Sequence, residues 1–143
     1  MVAILRTKST HLPELVRIGT AQWPKEGWIT RSYLHHTLRK KGFHYTAVLN
    51  KEIVGSIMAV EEDYPKYWIH YFVVEKKYRR QGVGSALLQR VISHLRTGNS
   101  LWVDLEKNDH TGFSFYRKKG FRVMGIVKGW FSGKPGIIMA KKR

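Results

Sequence analysis

The chain encodes a mixed α/β domain, α+β in class, with a sheet of about seven strands. Three stretches predict it. Ile69 to Val74 is an apolar, β-branched run that passes through a glycine-containing turn into a segment with helical periodicity. Phe43, Tyr45, Ala47 and Leu49 alternate, and a tight Asn50-Lys51 turn returns the chain along Glu52 to Glu61, which makes an antiparallel pair. Four helical segments are interleaved with these and further strands. At 143 residues the chain is long enough for one domain with a proper core, and residues 1–143 are read as a single domain.

Val2 to Arg6 is the first strand. Pro13 suits the first turn of a helix whose apolar stripe is Leu12, Leu15, Val16 and Ile18, ending near Trp23-Pro24. Pro24 to Gly27 is a loop. Thr30 caps a second helix, with Leu34 and Leu38 one turn apart and Gly42 as its stop. The hairpin follows, then a polar turn at Glu61 to Pro65 and a strand from Tyr67 to Val74. The next helix runs from about Gly82 to Thr97, with Val83, Leu87, Val91 and Leu95 every four residues and Leu88 and Ile92 beside them. Gly98 is its expected stop. Leu101 to Glu106 is a strand and Thr111 to Lys119 a helix. Phe121 to Val127 is a strand, Lys128 to Gly136 a loop, and Ile137 to Ala140 the closing strand.

Tyr78 to Leu88 carries the chemistry. A basic turn between strand and helix presents backbone N–H groups and the positive end of a helix dipole to one point, which suits phosphate. Gly82 and Gly84 let a ligand approach the main chain. Lys76, Lys77, Arg79 and Arg80 add charge there. A dinucleotide fingerprint fails because Leu87 stands where a third glycine is needed. A P-loop fails because Gly133-Lys134 is followed by Pro135.

Arg79-x-x-Gly82-x-Gly84 instead resembles the pyrophosphate loop of the GNAT superfamily of N-acetyltransferases. Gly112, Phe115-Tyr116 and Gly120-Phe121 match that superfamily's second motif. Counted back from Tyr116, its Asn position falls on Asp109, with Asn108 one residue early, so either could meet the cofactor. The order βααβββαβαββ is also that of the superfamily. The resemblance implies a twisted mixed sheet with helices on both faces, splayed between the fourth and fifth strands. It implies acetyl-coenzyme A as cofactor. The backbone of Phe72, Val73 and Val74 would bond the pantetheine arm as an added strand. The amides of Arg80, Gln81, Gly82, Val83, Gly84 and Ser85, next to Arg79, would hold the pyrophosphate. Tyr116 would be the general acid that protonates the leaving thiolate. His70 is the candidate general base: arylalkylamine N-acetyltransferases carry a His-x-His pair on this strand, and His70 matches the second His, with Trp68 in place of the first. Water, Glu61 or Glu62 are the other routes for that proton.

The charge of +16, with only ten acidic residues, attracts polyanions. Arg39-Lys40-Lys41, Arg117-Lys118-Lys119 and Lys141-Lys142-Arg143 lie partly outside any cofactor site. They raise a nucleic-acid or ribonucleoprotein partner, and an alternative class: a basic RNA- or ribosome-binding protein in which acetyl transfer is secondary or absent. Lys41-Gly42-Phe43 and Lys119-Gly120-Phe121 faintly echo the start of an RNA-binding strand motif without completing it. The resemblance implies a primary amine as acceptor, its identity open. Trp23, Trp28, Tyr33, Trp130 and Phe131 would shape its end of the cleft, which favours an apolar or planar part. Glu61-Glu62-Asp63 reads as a solvated turn. The histidines have no metal-ligand spacing. No cysteine, signal-peptide core or membrane-length apolar run is present, which fits a cytoplasmic protein, monomeric or homodimeric, with no membrane partner.

Overall fold

A computed structural model describes all residues, 1–143. Seven strands form one sheet in the order β1-β2-β3-β4-β5-β7-β6. They are β1 (Ala3–Arg6), β2 (Gly42–Leu49), β3 (Glu52–Glu61), β4 (Lys66–Val74), β5 (Ser100–Glu106), β6 (Arg122–Phe131) and β7 (Lys134–Lys142). The helices are α1 (Leu12–Gln22), α2 (Arg31–Leu38), α3 (Val83–His94) and α4 (His110–Lys118). All neighbouring strands are antiparallel except β4 and β5. No helix is long and apolar enough to cross a membrane.

Two cores lie on opposite faces. One unites α3 with the sheet: Val83, Leu87, Leu88, Val91, Ile92 and Leu95 are buried against residues that include Ile57, Ile69 and Val103. The other unites α1 and α2 with Met58, Tyr71 and Val73 through Leu12, Leu15, Ile18 and Leu34. Each fully buried Leu contributes about 1.5–3 kcal/mol by leaving water. Thr30 caps α2, its Oγ1 accepting from the Tyr33 N–H at 3.0 Å. The Tyr71 hydroxyl donates to the Leu15 carbonyl at 2.6 Å. Gly19 makes room for it, because a Cβ there would sit 2.0 Å from that hydroxyl.

Strand β4 contributes to both cores because it carries a bulge. Ala59 pairs with Ile69 and Met58 with Tyr71, leaving His70 as the extra residue. Before it, Tyr67 and Ile69 face α3; after it, Tyr71 and Val73 face α1 and α2, and Phe72 and Val74 turn toward α3. A one-residue insertion in a period of two has this effect.

Three sequence expectations are corrected. Gly42 does not stop α2, which ends at Leu38; it opens β2, where a Cβ would lie 2.0 Å from the Ala59 carbonyl oxygen. Helix α3 ends at His94, before Gly98, because Leu95 turns to extended backbone and buries its side chain. Lys128 to Gly136 is not a loop. β6 runs to Phe131 and β7 starts at Lys134, joined at Ser132-Gly133, both with positive φ. Gly129, Gly133, Pro135 and Gly136 give that hairpin the composition of a loop.

Candidate active site

The site starts where β4 and β5 part. They pair only at Lys66–Ser100, Tyr67–Leu101 and Trp68–Trp102. Trp68 and Trp102 stack at this apex, centroids 5.6 Å apart. From Ile69 onward the β5-facing edge of β4 has no strand partner, so Phe72 to Val74 lie along a free edge while still paired with β3 on the other side. Exposed edge groups of this kind recruit an extended chain.

At the end of β4 the chain enters the basic turn. Arg80 and Gly82 have φ of 62° and 81°, and Gly82 is the N-cap of α3 with no side-chain cap. The first backbone bond into the helix is Ala86 N–H to the Gly82 carbonyl. The six amides from Arg80 to Ser85 consequently make no hydrogen bond within the chain. Orphan N–H groups at a helix start, with its dipole behind them, form an anion site. The Arg79 guanidinium instead buttresses the turn, its Nε donating to the Val74 carbonyl at 3.1 Å. A Cβ on Gly84 would have only ordinary contacts, 3.7 Å to Val74, 3.8 Å to Phe72 and 3.9 Å to Phe115. Nothing in the fold itself therefore requires glycine at this position; a ligand against the backbone would.

Tyr116 closes the α4 side of the cleft. Its ring packs edge-on to Phe72, Phe115 and Phe121, with centroids 6.4, 5.3 and 5.1 Å away. It is 8% exposed, and its hydroxyl makes no hydrogen bond with the chain. Burial, then the charges of Asp109 and Asp104, push its pKa well above the ordinary phenol value. The hydroxyl is therefore protonated at neutral pH. Asp109 is occupied as the N-cap of α4, Oδ1 accepting from the Gly112 N–H at 2.9 Å. Asn108 beside it is exposed.

His70, on the bulge, meets Glu62 with Nε2···Oε1 at 2.6 Å. A carboxylate only accepts, so Nε2 carries the proton and Nδ1 is left as the basic nitrogen. Burial holds the neighbouring His44 below the ordinary histidine value, with a smaller contribution from His70.

Two features escaped the sequence reading. Asp104 lies on the face of β5 opposite Val103 and Leu105 and accepts from the Trp130 indole N–H at 2.7 Å. A break in the β6–β7 register between Val127 and Phe131 lets Trp130 fold over Gly136, where a Cβ would be 2.6 Å from its ring. Tyr33 stands near both Glu62 and Asp104: its pKa is raised by burial first, then by those two charges. Trp28 packs edge-on to Tyr33 at 5.1 Å.

A sheet splayed between parallel strands, with an amide-lined anion turn at one end of the gap, defines a class of coenzyme-dependent acyl-transfer proteins. Residues 10–121 match the model of the acetyltransferase (GNAT) family, and the chain belongs to that family. It is an N-acetyltransferase whose cosubstrate is acetyl-coenzyme A. The free edge and the six amides fit the extended arm and diphosphate of that molecule. An N-alpha-acetyltransferase of Sulfurisphaera tokodaii is 20% identical, covering 96% of this chain and 90% of that protein. Among solved structures, the ribosomal-protein-S18-alanine N-acetyltransferase of Escherichia coli has a TM-score of 0.85 at 21% identity, covering 99% of this chain and 94% of that one. Arabidopsis thaliana Naa50, in complex with the bisubstrate analogue CoA-Ac-MVNAL, has a TM-score of 0.86 at 20% identity, with 99% of both chains covered.

Proposed function

We propose that the chain acetylates a primary α-amine, such as a polypeptide N-terminus, with Tyr116 as general acid and His70, oriented by Glu62, as general base. The observation that carries the reading is the run of six unbonded amides, Arg80 to Ser85, at the mouth of the β4–β5 gap that Tyr116 closes. Bound acetyl-coenzyme A supplies an activated acyl carbon and a thiolate leaving group. The unpaired edge of Phe72 to Val74 orients the pantetheine arm, and exposed Asn108 is the candidate for a further contact. His70 Nδ1 takes a proton from the acceptor ammonium, while Glu62 stabilises the imidazolium that forms. Tyr116 gives its proton to the departing sulfur. Juxtaposing the reactants supplies much of the rest.

The acceptor side supports an ammonium on an otherwise uncharged group. Glu62 and Asp104 offer negative charge beside Tyr33, with Trp28 and Trp130 as aromatic walls. The S. tokodaii relative is an N-alpha-acetyltransferase, the E. coli enzyme a ribosomal-protein-S18-alanine N-acetyltransferase, and the A. thaliana structure holds a bisubstrate analogue with a peptide portion, which agrees with this choice. A second reading, RNA or ribosome binding through the basic surface, is favoured by the number of free cations. Only five of the 26 Lys and Arg side chains pair with a carboxylate. The test is a panel of short peptides, free amines and aminoacylated RNA, followed by coenzyme A release. We expect turnover with peptides bearing a free α-amine and none after the terminus is blocked. Turnover confined to lysine side chains or polyamines would overturn the α-amine assignment. A protein that binds RNA but whose melting temperature does not respond to acetyl-coenzyme A would overturn the enzyme reading.

A further inference from the structure

The sheet has two edges, and they are built differently. β1 is four residues long, and the Arg90 guanidinium donates to its Ile4 carbonyl at 3.3 Å. Short length and a capping cation are defences against pairing with another strand. β6, at the other edge, is ten residues long and pairs with β7 alone. None of its backbone groups from Arg122 to Trp130 bonds outside the sheet. Between Arg122 and Phe131 it carries a single charge, Lys128. Its side chains are apolar on both faces. Five of the nine large apolar side chains exposed in the chain lie here: Val123, Met124, Ile126, Val127 and Trp130, between 37% and 57% exposed. Val123 and Ile126 sit opposite Met139 and Ile137 and share their α3 side. Val127 and Trp130 lie on the other side, at Gly136.

These exposures leave on the order of 450 Å² of apolar surface on one strand, a patch of the size that marks an interaction site. A homodimer takes about 800 Å² from each partner, about two-thirds of it apolar, which this strand and the flanks of its hairpin supply. We propose that a second copy of the chain covers β6, the two β6 strands pairing antiparallel across a two-fold axis into one continuous sheet. The partner has to be an extended strand with apolar side chains on both faces, and β6 is itself that strand, as an isologous interface requires. A two-fold axis at Ile126 sets each Ile126 against its counterpart. It also sets Met124 against Lys128, whose methylenes it can cover, and Arg122 against Trp130, as a cation over a ring. Arg122 and Trp130 lie on the same face, since Arg122 pairs with Ala140 beside Ile138 and Gly136. An axis at Gly125 would instead oppose Arg122 to Lys128, and like charges in that position destabilise. A polyanion is disfavoured, because the patch holds one cation among five apolar side chains. Trp130 is tied to Asp104, so the interface borders the acceptor side of the cleft in each copy. The inference does not depend on which amine is acetylated.

The test is sedimentation of the full chain over a range of concentration and salt. Wild type should pass from monomer to dimer by about the micromolar range in which interfaces of this size associate. The dimer should tighten as salt rises, because two chains of +16 repel and salt screens them. Ile126→Lys, at an exposed position, should keep the circular dichroism of wild type and raise the midpoint about tenfold or more, since like charges then face each other at the axis. The chain has no cysteine, so a single one reports the contact directly. Ile126→Cys should oxidise to a disulfide-linked dimer, because residues directly opposite on antiparallel strands stand about 4.5–5.5 Å apart at Cα. Leu5→Cys, on the β1 edge, should stay uncrosslinked under the same oxidation. A wild type that is monomeric at roughly 100 μM in both low and high salt would overturn the proposal, being far above the expected range. A dimer that survives Ile126→Lys unchanged, or one crosslinked by Leu5→Cys and not by Ile126→Cys, would place the interface elsewhere and overturn it too. Dissociation on raising salt would mean association through charge, and would equally overturn an apolar strand pairing.

Discussion

Replacing Tyr116 with Phe removes a proton donor while keeping the ring among Phe72, Phe115 and Phe121. We expect kcat to fall about 10²- to 10⁴-fold with cofactor affinity within about twofold, measured by steady-state kinetics and calorimetry. Because its pKa is raised, the rate should not decline with tyrosine ionisation until the pH exceeds about 10. His70→Ala should lose rate at neutral pH and recover part of it at high pH, where the amine is already neutral. Glu62→Gln should reproduce a weaker version of the same profile, because it keeps a hydrogen-bond acceptor but not the charge. A pH–rate profile of Glu62→Gln that overlays wild type would separate that carboxylate from proton removal. Of this constellation, Tyr116 and His70 were legible as motif positions. The His70–Glu62 contact depended on how the β3–β4 turn folds back, and Asp104 on which face of β5 is left uncovered.

Elements explain why other residues are what they are. Gly84→Ala should fold as well as wild type or slightly better, since a helix gains about 0.5–1 kcal/mol from the exchange and the new Cβ meets only ordinary contacts. We nevertheless expect weaker cofactor binding, because the methyl group intrudes on the face of the turn proposed to hold the diphosphate. Unchanged affinity by calorimetry would count against the site. Thr30→Ala should cost about 1 kcal/mol in denaturant unfolding by removing the cap on α2. Most elements were readable because one signal dominated each: the apolar stripe of α3, the alternation of β2, the Asn50-Lys51 turn. The β6–β7 hairpin was not. Its strands are glycine- and proline-bearing, and β6 is exposed along nearly all its length, so the alternation that marks a half-buried strand is absent. The composition of a loop and that of a solvent-facing edge coincide.

At the scale of the molecule, charge and buried phenols set the response to conditions. With +16 overall, kcat/KM for an acceptor on an acidic carrier should fall as salt rises, at saturating acetyl-coenzyme A. A neutral peptide should show little change, and acceptor kinetics that improve with salt would refute the attraction. Tyr67, pushed up to about 12 by burial and by Glu61, joins Tyr71 and Tyr116, both raised mainly by burial. In each case the folded state holds its proton more tightly than the unfolded chain. Their contribution to stability is fully present below about pH 10 and is lost as the pH climbs toward the folded values. Denaturant midpoints against pH should accordingly be level through neutrality and drop above about 10, less steeply in Tyr71→Phe. The bulge in β4 has a consequence of another kind. His70 is a spacer as well as a side chain: the chain can change what stands there but not whether something stands there. Deleting it would restore an unbroken pleat: Tyr71 and Val73 would turn to the α3 face, and Phe72 and Val74 to the face that α1 and α2 cover. Substitutions at this position should spare folding while altering catalysis. A shortening by one residue should leave no soluble protein in which to measure either.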